Sequence, residues 1–129
     1  MVTSPNYPNN YPSGLHKLYP IKVANASIIK ISIDDMELEY NDVCRYDYIK
    51  IEDGDGTVLL DKTCGSRHPA EIVSQTNTVK IIFKTDDDGS GRGWKMTYYE
   101  GKSKDPYSRY VSIVNSIQLC RKFHHDDAC

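Results

Sequence analysis

One tryptophan and two phenylalanines leave this 129-residue chain short of the usual aromatic core residues, yet ten tyrosines are present. Tyrosine packs its ring and keeps its hydroxyl near water, so much of the aromatic mass is expected on half-buried strands. Long apolar runs are missing: no stretch approaches the length of a membrane span, which argues against membrane insertion. Charge of one sign is also missing. The net charge is −2, too small to draw a polyanion by bulk attraction, and nucleic acid is not an expected partner. The four cysteines, Cys44, Cys64, Cys120 and Cys129, include no Cys-x-x-Cys pair, which argues against a zinc ribbon or finger. No secretory leader opens the chain; Met1-Val2-Thr3 runs directly into turn-rich sequence. The expected reading is a piece excised from a larger secreted protein.

What is present fits one ordinary domain. Apolar residues make up 39% and charged residues 26%, enough for a core and against global disorder. The even cysteine count fits two disulfides, with three connectivities open. Asn25-Ala26-Ser27 is an acceptor triplet for N-glycosylation and, with the cysteines, leans toward the secretory route. Residues 4–14 hold three prolines and three asparagines, which exclude helix and favour a structured loop. Short period-two segments follow: Tyr19, Ile21, Val23; Ile29, Ile31, Ile33; Ile49, Ile51; Val79, Ile81, Phe83; Trp94, Met96, Tyr98. Glycine- and aspartate-rich turns separate several of them, notably Glu52-Asp53-Gly54-Asp55-Gly56 and Asp86-Asp87-Asp88-Gly89-Ser90-Gly91. This pattern predicts an all-β antiparallel sandwich over residues 1–100, with almost no helix before residue 101.

Beyond Glu100 the pattern changes. Gly101 to Pro106 reads as a linker, and residues 101–129 as a linker with a cysteine-containing tail. Val111, Val114 and Ile117 are spaced by three, which suits a short helix or, with their β-branched side chains, a strand. The chain offers little for catalysis. His16, His68, His124 and His125 lack a Ser or Cys partner in any recognisable motif. His124-His125-Asp126-Asp127 offers transition-metal ligands, but a solvated tail explains it more simply. The chain is read as not an enzyme.

Ser4-Pro5-Asn6-Tyr7-Pro8 with Tyr11-Pro12, then Leu38-Glu39, Cys44-Arg45-Tyr46-Asp47-Tyr48, Asp53-Gly54 and Cys64-Gly65, then Phe83-Lys84-Thr85-Asp86 and Gly93-Trp94-Lys95-Met96-Thr97-Tyr98 occur in that order. Over about residues 2–99 this series resembles the CUB family. The resemblance implies a two-sheet jelly-roll sandwich, secreted or at cell surfaces, usually one module among several. It implies a Cys44–Cys64 disulfide, leaving Cys120 and Cys129 to pair with each other or outside the segment. Lys17 stands where many members carry a further cysteine, and Tyr19 where a tryptophan is usual. The same missing first disulfide is a feature of the first modules of complement-initiating proteases and of some growth-factor modules.

The calcium-binding subset of that family places three acids and a tyrosine at one end of the sandwich. Glu39, Asp47 and Asp86 match the acids, and Tyr11 the tyrosine. The residues read alone agree: sandwich loops cluster at the ends, and oxygen donors brought together there suit Ca2+ rather than Zn2+. Tyr11 is expected to orient a carboxylate rather than bind the ion. The implied function is an extracellular, calcium-dependent protein-interaction module that captures Lys or Arg of a protein ligand. The alternatives are a glycan-binding module and an accessory, non-catalytic domain of a secreted protease; self-association is a further option.

Overall fold

The computed structural model describes residues 1–102. The pairing of Cys120 with Cys129, the segment 107–120 and the histidines at 124–125 lie outside the described residues. Eight strands follow one another: β1 (Val2–Thr3), β2 (His16–Lys22), β3 (Ser27–Glu37), β4 (Tyr48–Asp53), β5 (Val58–Thr63), β6 (Glu71–Val73), β7 (Thr78–Lys84) and β8 (Gly93–Lys102). They form two four-stranded sheets, ordered β1-β8-β3-β6 and β2-β7-β4-β5. Every pairing is antiparallel, and no helix occurs among the described residues. The all-β sandwich expected from the alternation is therefore the fold.

The alternation works as a sorting device, because successive strand side chains point to opposite faces. Ile29, Ile31 and Ile33 of β3, Ile49 and Ile51 of β4, Val79, Ile81 and Phe83 of β7, and Trp94 and Met96 of β8 are buried between the sheets. Phe83 sits at the centre, edge-on to Trp94 at 5.9 Å and to Tyr11 at 5.3 Å. Tyr19 meets Trp94 edge-on at 5.1 Å, in the geometry aromatic quadrupoles favour. Its hydroxyl and the Trp94 Nε1 are buried without hydrogen-bond partners among the described residues.

One irregularity decides what the end of β3 presents. An unbroken period of two from Ile33 would turn Asp35 and Glu37 into the core and Met36 toward water. A bulge between Ile33 and Asp35 shifts the register. Met36 is then buried, and Asp35 stays half-buried at the surface. At the other end of the same ladder, Gly101 and Lys102 pair with Ile28 and Ser27, so β8 runs two residues beyond Glu100.

Candidate functional site at the acidic pole

Three connections meet at one end of the sandwich: the β1–β2 segment, the β3–β4 segment and the β7–β8 loop. Main-chain hydrogen bonds lock them together. Tyr11 N–H donates to the Gly91 carbonyl at 3.1 Å, Gly14 N–H to Asp86 at 2.8 Å, and Leu38 N–H to Gly65 at 3.0 Å. The Cys44–Cys64 disulfide, with Cα atoms 5.5 Å apart, ties the segment before β4 to the end of β5. That bond agrees with the expected pairing. Lys17 and Tyr19 occupy β2.

Tyr11 is the keystone of the pole. Its ring is 3% exposed and lies against Phe83, so the core fixes where its hydroxyl points. That hydroxyl donates to Asp47 Oδ2 at 2.6 Å and accepts the Glu39 backbone N–H at 3.0 Å. The other oxygen, Asp47 Oδ1, accepts the Asp86 backbone N–H at 2.9 Å. Asp47 is 1% exposed, yet each of its oxygens keeps a lone pair beyond these single donors.

Glu39, Asp47 and Asp86 converge: each offers a carboxylate oxygen, and the three lie within 4.8 Å of one another. Among the described residues no lysine or arginine forms an ion pair with any of them. The nearby Arg92 is already engaged. Its Nε and one terminal nitrogen grip both Asp35 oxygens at 2.7 Å, and the other terminal nitrogen reaches Glu37 at 2.7 Å. Tyr7 completes that cluster by donating to Asp35 Oδ2 at 2.7 Å. Hydrogen bonds from Arg92 hold the Asp35 carboxyl well below the usual carboxylate range, and the guanidinium in turn is pushed up.

The acid triad shows the reverse. Burial pushes the Asp47 carboxyl up, and the Asp86 side chain adds to it, while the hydrogen bonds from the Tyr11 hydroxyl and the Asp86 backbone N–H oppose it. Desolvation, then repulsion from Asp47, Asp86 and Asp88, raises the Glu39 carboxyl. Burial and the Asp47 hydrogen bond raise the Tyr11 phenol, so it remains a donor. Carboxylates crowded together raise one another in this way. An all-oxygen set of this charge fits a hard divalent cation.

Gly89 is a participant that the sequence reading did not single out. It takes φ +81°, in the left-handed region, and a Cβ there would run into the Glu39 carboxylate. Its neighbours close the loop: Asp88 N–H donates to Asp86 Oδ1 at 3.1 Å, and Ser90 Oγ to the Tyr11 carbonyl at 3.0 Å. The Asp-Asp-Asp-Gly run held the signal, since glycine after aspartate marks a tight turn.

Two packed antiparallel sheets, with a disulfide beside a pole of converging acids, make up a small disulfide-tied β-sandwich module. A family model described as CUB domain matches residues 1–98. The chain belongs to the CUB family, whose domains are non-catalytic modules. It is 37% identical over 101 residues to cubilin of Homo sapiens, covering 76% of this chain and 3% of cubilin. It is 34% identical over 108 residues to mannan-binding lectin serine protease 1 of Mus musculus, covering 81% of this chain and 15% of the protease. The solved structure of the MASP-1 CUB2 domain bound to Ca2+ superposes with a TM-score of 0.69 at 34% identity, covering 75% of this chain and 88% of that domain. The chain thus spans a small part of the curated relatives it matches.

Proposed function

We propose that this chain is an extracellular, calcium-dependent protein-interaction module. One observation carries the proposal: the convergence of Glu39, Asp47 and Asp86 within 4.8 Å without a basic partner among the described residues. In this reading the three carboxylates hold Ca2+, and Tyr11 fixes Asp47 for that task. The Ca2+ in the similar MASP-1 CUB2 domain supports the choice of ion. Carboxylate oxygens left facing out then receive a Lys or Arg of the partner. Charge-assisted contacts of this kind contribute roughly 1.5 to 3 kcal/mol each, so repeated copies would add avidity. The disulfide agrees with an oxidising compartment. Asn25 is exposed between β2 and β3, at the pole away from the acids, where a glycan would leave the site open. As one module of a longer chain it would serve as an accessory to other domains, as the small share of the protease relative it covers suggests.

Calorimetric titration with calcium tests the reading directly. A single saturating site is expected, lost in Asp47→Ala and retained in Asp55→Ala, whose carboxylate caps the distant turn at Thr57. A flat titration of the unaltered protein would remove the ion from the account and favour the glycan-binding alternative.

A further inference from the structure

The register of the second sheet reveals a surface that the net charge hides. Residues facing away from the core follow from the pairing of β2, β7, β4 and β5. His16, Lys84 and Tyr48 make one row across the sheet, and Leu18, Ile82 and Lys50 the next. Pro20, Lys80, Glu52 and Val58 make the third, and Lys22 and Thr78 the fourth. The inward sets, such as Val79, Ile81 and Phe83, are buried, which confirms the facing. Lys62 reaches the same face, its Nζ 4.9 Å from the Tyr48 ring centroid.

Lys22, Lys50, Lys62, Lys80 and Lys84 therefore share one face. The four rows contain one carboxylate, Glu52, which Lys50 and Lys80 approach at 3.4 and 3.6 Å, and the exposed Asp61 stands next to Lys62 on β5, so lysine outnumbers acid on this face by five to two. The outward side of the other sheet is mixed, with Asp35 and Glu37 on β3 and Glu71 on β6 beside Lys30, Lys95 and Arg92. The slight overall negative charge thus conceals one face on which lysine predominates.

We infer that the outer face of the β2-β7-β4-β5 sheet binds a linear sulfated polysaccharide. Charge complementarity gives the sign of the ligand. Shape gives its class. The lysines are spread over all four strands, Lys80 and Lys84 alone standing about 13 Å apart along β7, so an extended chain with repeated charge can meet several at once. No arginine lies in these rows to fork a phosphate, and lysine offers only point charges. Leu18 is 48% exposed and lies, with Pro20 and Ile82, between the charged positions. These side chains and the Tyr48 ring provide apolar ground for the C–H faces of sugar rings. The surface is separate from the acidic pole, so it requires neither calcium nor the interaction proposed above.

The test uses the whole chain on an immobilised heparin oligosaccharide, with a polyglutamate peptide of matched charge as comparison. Retention is expected at about 0.05 M salt and its loss by about 0.5 M, because exposed charges are screened. The Lys50→Gln/Lys80→Gln/Lys84→Gln variant should bind about tenfold or more weakly, from the loss of three exposed ion pairs. The matching Lys→Arg variant should keep binding, which separates lost charge from lost folding. Chelator should leave heparin binding unchanged. The inference is overturned by no retention at low salt, by equal affinity for polyglutamate, or by full binding of the folded Lys→Gln variant. Loss of binding in chelator would instead assign the contact to the acidic pole and likewise overturn it.

Discussion

Asp47→Asn separates the cost of the acid cluster from its use. Asp47 is buried, and both its oxygens already accept hydrogen bonds, from Tyr11 and from the Asp86 backbone. Asparagine keeps the shape and one carbonyl acceptor, and turns a donor toward the other position. One hydrogen bond is thus lost, worth about 1 kcal/mol, or somewhat more because the acceptor was charged. Against this, the substitution removes a buried negative charge that burial and Asp86 both disfavour. In chelator the two changes oppose each other, so the melting temperature should move little. In calcium the outcome differs. At a calcium concentration ten times the dissociation constant, binding adds about 1.4 kcal/mol to the unaltered protein, a rise of roughly 6 to 11 °C for a domain of this size. The variant should lose that rise, because one of three charged donors is gone. The assay is thermal unfolding of both proteins in chelator and in millimolar calcium. An equal calcium-dependent rise in both would refute the reasoning, since it would place the ion elsewhere. A collapse of the variant in chelator would show that Asp47 serves the fold rather than the ion.

Four further outcomes are expected. Tyr11→Phe should weaken calcium binding by about 10- to 100-fold without abolishing it, since the ring stays and only the hydroxyl that orients Asp47 goes; calorimetry reads the difference. Phe83→Ala should cost about 3 to 5 kcal/mol by denaturant unfolding, and calcium binding should weaken in the fraction that remains folded, because Tyr11 loses the ring it rests on. Arg92→Ala should flatten the acid limb of the stability curve. Asp35 is held below its ordinary value, so its contribution is present above about pH 4 and is lost as pH falls through the depressed value; the variant should lose less stability than the parent over that window. Asn25→Gln should remove an endoglycosidase-sensitive mass from protein expressed through a secretory pathway, as gel mobility would show.

The parts of the fold written in local order were legible in the sequence. Ile29-Ile31-Ile33 and Val79-Ile81-Phe83 alternate cleanly because each strand buries one face and leaves the other polar. The short strands β5 and β6 were not, since Glu71–Val73 is too brief to show a period and β5 pairs irregularly with β4. The acid triad came together through resemblance, and the residues named there are the ones the structure places side by side. Spacing alone gave no hint of this, as the three lie 8 and 39 residues apart along the chain. The Arg92 clamp had no local signature at all. Its partners Asp35 and Glu37 are 57 and 55 residues away, and a bulge turns Asp35 outward to meet it. The lysine face was equally hidden: each lysine reads as an ordinary outward strand position until the register places them together.

The ladder between β3 and β8 sets a timetable for the growing chain. All of the β2-β7-β4-β5 sheet is available once Lys84 has been made. The other sheet must wait, because β3 pairs along its length with residues 93–102, and among the described residues β1 has no strand partner except β8. Until Lys102 leaves the ribosome, Ile29, Ile31 and Ile33 belong to a strand whose only described partner is the three residues of β6. Contacts between segments so far apart in sequence form slowly, and an unpaired apolar strand is open to wrong partners meanwhile. Among the described strands the last synthesised is therefore the one that closes the sandwich, and the interval before it arrives is when the nascent module has most need of a chaperone.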